Sequence, residues 1–175
     1  MPPSEARQSS AFRLGQQAVP HLPLRVRSTG RYDVAAGWSE PPVRKWFVEL
    51  TWTLSGEGEV LTGEQQYLRL KPGDIHVYFP GETHHLRALG GPGARWRYHW
   101  ITFDHPDAER WLGGFNLARH TTAFGPCPEP LFKAVAHALR RGTAEAERQA
   151  ARHAHDILLA ASATSPADTP EGALA

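Results

Sequence analysis

Residues 71–85 read Lys71-Pro72-Gly73-Asp74-Ile75-His76-Val77-Tyr78-Phe79-Pro80-Gly81-Glu82-Thr83-His84-His85, and residues 49–58 upstream read Glu49-Leu50-Thr51-Trp52-Thr53-Leu54-Ser55-Gly56-Glu57-Gly58. Each stretch joins a strand to a turn. Glycine takes a positive φ in a tight turn without a steric penalty, so Gly56, Gly73 and Gly81 mark the corners. Pro80 ends the run 75–79, and the chain re-emerges at His84. In the upstream run Glu49, Thr51 and Thr53 share one strand face, and Leu50, Trp52 and Leu54 share the other. The polar row faces either solvent or a polar cavity. In a cavity Glu49 accepts hydrogen bonds from two hydroxyls; otherwise it is a salt-bridge partner of Arg44 or an exposed strand charge.

Outward from these stretches, residues 44–103 are short β-rich runs separated by Gly-bearing turns. The runs are 46–54, 59–62, 66–70, 75–79, 84–89 and 95–103, with turns at 55–58, Gly63-Glu64, 71–74, 80–82 and 90–93. Connections this short leave no room for βαβ crossovers, so the runs predict an antiparallel meander folded on itself. Residues 1–30, punctuated by Pro20 and Pro23, read as an arm that drapes over the core. After Asp104 the pattern breaks, with a short helix expected at 107–112 and a loop at Gly125-Pro126-Cys127-Pro128. Two helices follow. The first, 129–141, carries Leu131, Val135, Ala138 and Leu139 on one stripe and is terminated by Gly142. Thr143 is the expected N-cap of the second, which carries Ala150, Ala154, Ile157, Leu158 and Ala161 at 3- and 4-residue spacing. A short loop between them makes an antiparallel hairpin. Residues 164–175 read as a linker, which suggests a further domain beyond it.

The bulk composition narrows the function classes. The 175 residues suit one domain with tails, 41% are apolar, and 19 Lys+Arg against 18 Asp+Glu leave a net charge of +1. The modest isoelectric point near 8.0 and the lack of a basic cluster argue against a nucleic-acid surface in this stretch. A single cysteine, Cys127, makes no intramolecular disulfide, and no signal peptide or apolar run of ~18 residues is visible, so the cytoplasm is the expected compartment and no membrane partner is implied.

The order of these motifs resembles the two signatures of the cupin superfamily, with Glu49, Gly56 and Gly58 in the first and Gly73, Asp74, Pro80, Gly81 and His84 in the second. Downstream, the aromatic strand Trp96-Arg97-Tyr98-His99-Trp100-Ile101-Thr102-Phe103 is similar to that of the AraC regulators' sensor domain, and the resemblance covers about residues 44–160. It implies a mainly β fold: a cupin or jelly-roll β-barrel over 31–125, followed by a two-helix antiparallel hairpin over 126–163. It further implies a small-molecule effector, a sugar in the arabinose-type members, in the barrel mouth near His84. A homodimer would form through the helices, by Leu131, Val135, Leu139, Ala154, Ile157 and Leu158. DNA would be bound only by a helix-turn-helix domain after the linker. An apolar stripe that simply covers the domain's own core is the plainer reading of the helices.

Metal-binding cupins carry an H-x-H four or five residues before the glutamate. Here those positions fall among Pro42, Val43, Arg44 and Lys45, so only Glu49 and His84 remain of a ligand set that needs three or four donors. Arg44 or Lys45 places a cation where a ligand belongs, and alternation is expected to turn His76 and His99 away from the pocket. No metal, no cofactor and no catalytic residue is therefore expected, although a metal-dependent cupin enzyme and a standalone sugar-binding cupin remain the rival readings. Ligand contacts are expected from Arg44, Glu49, Thr51, His84, Tyr98 and Trp100. Trp96, Tyr98, Trp100 and Thr102 share the strand face that the resemblance turns inward, where an indole stacks on a sugar ring. Trp96 and Trp100 are otherwise core, and Arg44 is otherwise a surface residue. The arabinose-type members have a sugar-contacting histidine where this chain has Tyr98 and a tyrosine where it has Leu86, so the sugar does not carry over.

Overall fold

The computed structural model describes residues 6–13, 22, 24–62, 66–117, 120–122 and 125–162. The turn expected at Gly63-Glu64, most of the Pro20–Pro23 segment and the linker 164–175 lie outside them.

The chain is mainly β, and among the described residues the strands form three separate antiparallel sheets. The large sheet contains β1 (Arg7–Phe12), β2 (Val26–Ala35), β10 (Arg95–Phe103), β4 (Val48–Ser55), β7 (Asp74–Tyr78) and β11 (His120–Thr122), in that order. A three-stranded sheet has β5 (Gly58–Leu61) between β6 (Tyr67–Leu70) and β9 (Leu86–Ala88), and β3 (Val43–Arg44) pairs with β8 (Thr83–His84). The expected mainly β fold with a helical hairpin is found, and among the described residues the three sheets do not join into one continuous ladder. Three helices complete the fold, α1 (Ala108–Gly114), α2 (Glu129–Leu139) and α3 (Ala144–Ser162).

Two cores sit on opposite faces of the large sheet. Strand alternation sends Leu50, Trp52, Ile75, Val77, Ile101 and Phe103 to the face covered by α2 and α3. The other face sends Tyr78, Trp96, Tyr98 and Trp100 against Val60, Leu70 and Leu86 of the small sheet. Both faces of β4 and β10 are therefore buried, which is why β4 begins as an unbroken buried run from Val48 to Thr53. Gly58 owes its identity to this packing, since a Cβ there would lie 2.4 Å from the Trp96 indole.

The helical hairpin forms as its sequence predicts. Thr143 Oγ1 accepts from the Ala146 N–H at 3.2 Å, and Gly142 ends the first helix with φ +63°. Of the two readings of its apolar stripe, the plainer one holds inside this chain: the stripe covers the domain's own core. Val135, Leu139, Ala154, Ile157 and Leu158 are at most 2% exposed inside the chain's own core, and Leu131 packs partly buried against it. These side chains hold the hairpin to the sheet and are not available to a partner. The outward stripe of α3 carries Arg148, Arg152, His155 and Leu159 instead.

The N-terminal segment also departs from the arm expected over 1–30. Residues 7–12 are an edge strand paired with β2 from Arg7↔Asp33 to Phe12↔Ser28. The boundary expected at residue 30 falls inside β2, which is paired on both sides within the sheet. β2 escaped the sequence reading because Arg27, Gly30, Arg31 and Asp33 break its apolar alternation. A buried ion cluster fixes this segment further: Asp104, just past β10, accepts from Arg13 Nη2 and from Arg25 Nε, each at 2.7 Å. Burial alone would raise the Asp104 pKa, but the two guanidinium groups outweigh it and hold the carboxyl below its ordinary value.

Candidate ligand site

Glu49 and His84 meet, as their spacing suggests. Glu49 lies on the inner face of β4, 5% exposed, and β8 brings His84 opposite it so that His84 Nε2 donates to Glu49 Oε1 at 2.9 Å. Lys45, in the loop before β4, donates from Nζ to Glu49 Oε2 at 3.1 Å. Glu40 closes the group, with Oε2 3.2 Å from His84 Nδ1 and Oε1 3.6 Å from Lys45 Nζ. Two carboxylates and two cationic groups thus alternate around one small buried space. Burial would lower the His84 pKa, but Glu49 and Glu40 together outweigh it and hold the imidazole above its ordinary value. Burial would likewise raise that of Glu49, and His84 with Lys45 reverses the direction.

This network tests the metal that the fold implies, and the residues do not fit one. The Lys45 ammonium lies 3.1 Å from Glu49 and 3.3 Å from His84 Nε2, so a fixed positive charge fills the space between the two side chains that would ligate an ion. Among the described residues no three His, Cys, Asp or Glu side chains are grouped to hold a metal.

Beside the network opens a pocket of about 160 Å3, with Glu40, Lys45 and Glu49 on one side and Tyr32, Phe47 and Trp100 on another; Phe12 and Gln8 of β1 and Arg27 of β2 reach its wall. Trp100, 7% exposed, lies over Gly30, where a Cβ would come within 2.7 Å of the indole. Only a glycine at that position lets the ring lie flat on the neighbouring strand. Among the described residues Trp100 Nε1, at the pocket, and Thr51 Oγ1, buried behind it, have no hydrogen-bond partner, and the two residues are directly opposite across β10 and β4. An unpaired buried polar group costs roughly 1–3 kcal/mol, so the Trp100 indole N–H, whose residue lines the pocket, is a candidate donor to a ligand. Burial pushes the Tyr32 phenol up to about 12, which keeps it protonated and able to donate.

Of the six expected contact residues, Glu49 and Trp100 line the pocket, His84 stands behind Glu49, and Thr51 is buried beside Trp100. Tyr98 is placed differently. It is packed between Tyr32 and Trp96, with ring centres at 5.3 and 4.3 Å, and Tyr32 takes its expected place at the wall. Arg44 is exposed; its backbone pairs with Thr83, and the neighbouring Lys45 is the cation that turns inward. His76 also reverses its expected orientation: Ile75 and Val77 take the helix side of β7, so His76 faces inward, edge-on to Tyr78 at 4.5 Å. His99 lies on the helix face as expected, stacked on Phe132 at 4.6 Å. A second cleft of about 150 Å3 lies there between β2 and α2, across the sheet from Glu49. His85 sits between Tyr67 Oη at 2.8 Å and Ser39 Oγ at 2.9 Å. Glu40, Arg27 and Phe12 carried no sequence signal, because each reaches the pocket from a segment outside the two motifs.

Among solved structures, the chain is similar to a cupin superfamily protein from Desulfitobacterium hafniense (22% identity, 57% of this chain and 79% of that one, TM-score 0.42). It is also similar to the polyketide cyclase RemF from Streptomyces resistomycificus (18%, 58% and 66%, TM-score 0.45). A third similarity is to the cupin domain of an XRE family transcriptional regulator from Enterobacter cloacae (16%, 58% and 97%, TM-score 0.43). A comparison with curated protein sequences returns no significant match. The family comparison is decisive where these are not: the model for the AraC-like ligand binding domain matches residues 29–163, which run from β2 through α3 and include the pocket's Glu49 and Trp100, and the chain belongs to that family.

Proposed function

We propose that this chain is the effector-sensing and dimerisation domain of a bacterial AraC-type transcription regulator. A small molecule, on this reading a sugar, enters the pocket beside Trp100 in the cytoplasm, and its binding controls a helix-turn-helix DNA-binding domain outside these 175 residues. The supporting observation is the pocket itself: an aromatic wall at Trp100, whose indole N–H has no partner among the described residues, and a charge network closed by Lys45 in place of a metal. β1 offers the route outward. Gln8 and Phe12 reach the pocket, while Ala11 packs in the core beneath the helices. A ligand against Phe12 would favour the paired state of this edge strand, and occupancy would reach the hairpin through β1. Such a switch requires the ligand to prefer one arrangement over the other. A homodimer would use the outward stripe of α3, because the inward residues are committed to the core.

The metal-dependent enzyme is the competing reading, and Lys45 speaks against it. Thermal-shift screening of monosaccharides tests the proposal directly, since a ligand at 100 times its Kd should stabilise the fold by about 2.7 kcal/mol. A ligand found in this way should bind Trp100→Ala more weakly. Equal affinity for the variant would place binding elsewhere.

A further inference from the structure

Arg27 reaches the pocket through an irregularity in β2. In the pairing of β2 with β10, Ser28 stands opposite Thr102, but Val26 stands opposite Phe103, so Arg27 is one residue too many for the ladder. Val26 and Phe103 both pack beneath the helices, whereas Arg27 joins Ser28 on the pocket side. Strict alternation would have sent Arg27 to the opposite face. An extra residue of this kind re-aims a side chain, and such bulges are enriched beside functional sites.

The guanidinium is held among aromatic rings. Its central carbon lies 4.5 Å from the centre of the Phe47 ring, 5.6 Å from Trp46 and 6.0 Å from Phe12. Nη1 donates a long bond to Ser28 Oγ at 3.4 Å. Among the described residues no carboxylate lies within ion-pair distance of it. The other pocket charges are matched internally, because Lys45 and His84 share Glu40 and Glu49. Among the described residues that line the pocket, Arg27 is the charge left uncancelled. The rings position it, but they supply no counter-charge.

We infer that the pocket is built for a small organic carboxylate, whose anionic end pairs with Arg27 among Phe12, Trp46 and Phe47 while its flat body lies on Trp100. The planar fork of arginine matches a carboxylate bidentately, and the partly buried site screens the pair less than bulk water would. At about 160 Å3 the space is small beside the ~300–1,000 Å3 of pockets for drug-sized ligands, so the body is a single ring. This inference rests on the pocket being the effector site proposed above and replaces the neutral sugar with an acid. The ring is either that of a sugar acid or that of an aromatic acid.

Calorimetric titration of the full chain with matched pairs tests it, D-galacturonate against D-galactose and benzoate against benzyl alcohol. In the wild type at least one acid should bind roughly tenfold more tightly than its neutral partner, and the pair that shows the preference identifies the ring. Arg27→Gln should abolish the preference while leaving the neutral partner's affinity within about twofold, and Arg27→Lys should restore part of it. Equal binding of acid and neutral partner, an equal loss for both in Arg27→Gln, or no binding by any of the four probes would overturn the inference. Trp100→Ala separates the two claims. If it weakens binding while Arg27→Gln does not, the effector site stands and the carboxylate falls; if it leaves the acid's affinity intact, both fall.

Discussion

Replacing Lys45 with methionine removes the charge at the centre of the network while keeping most of the side chain's length. At 3.1 Å the attraction between Lys45 and Glu49 is about 5 kcal/mol at an effective dielectric near 20. Withdrawing the ammonium from water, to 21% exposure, offsets several kcal/mol of that. His84 also keeps its own 2.9 Å bond to Glu49, so the variant does not strand a carboxylate. The expected net loss is about 2 kcal/mol, below the ~3–5 kcal/mol for breaking a fully buried pair. The pH dependence is the sharper readout. His84, with its folded pKa above the ordinary 6.5, contributes stability that is present below that value and lost as pH rises through the folded pKa. Glu49, held below the ordinary 4.5, contributes stability that is present above that value and lost as pH falls through its folded pKa. Lys45 opposes protonation of His84 and favours ionisation of Glu49, so its removal moves both pKa values upward. In Lys45→Met the alkaline loss of stability, which sets in at the ordinary imidazole value, should therefore extend to higher pH than in the wild type, and the acid loss, which sets in at the ordinary carboxylate value, should be smaller and complete at a higher pH. Urea unfolding from about pH 4 to 9 follows both limbs. An unchanged urea midpoint with unmoved limbs would show that Lys45 is a solvated surface lysine and that the network does not form.

Three further outcomes are expected. Asp104→Asn should cost about 2 kcal/mol, because Arg13 and Arg25 lose their shared carboxylate but can still reach solvent. In the wild type this contribution should fade as pH falls below the ordinary carboxylate value of 3.8, and urea midpoints of variant and wild type should converge there. Leu158→Ala should cost about 2–5 kcal/mol as a core cavity without changing the sedimentation coefficient of the folded protein; dissociation of a wild-type dimer with stability retained would return that residue to an interface. Trp100→Ala should weaken effector binding by about 1–3 kcal/mol while thermal unfolding stays cooperative, as isothermal titration and calorimetry would show.

Local chemistry made much of this protein legible before folding. Gly56, Gly73, Gly81 and Gly142 stand at positive φ in the structure, where their turn and terminator chemistry placed them. The strand 95–103 and the two-helix hairpin follow from periodicities of two and of 3.6, which are properties of a few consecutive residues. Glu49 and His84 were legible because their motifs carry the spacing that juxtaposes them. The missing H-x-H likewise announced that a cation stands near Glu49, although it left Arg44 and Lys45 unresolved.

Tertiary structure decided what depends on partners distant in the chain. Which of Arg44 and Lys45 turns inward follows from the pairing of Val43 with His84, forty-one residues away, after which Arg44 is exposed. The hairpin stripe reads identically whether it meets a sheet or a second subunit, and only the docking of α2 and α3 on β2 and β10 assigned it to the core. β2 is hidden by its polar residues, which are tolerated because the strand lies between β1 and β10, so that its backbone is hydrogen-bonded on both edges. Arg27 shows the limit most plainly: alternation assigns it to one face of the sheet, and a single unmatched residue in the ladder, visible only once the register of β10 is known, delivers it to the other.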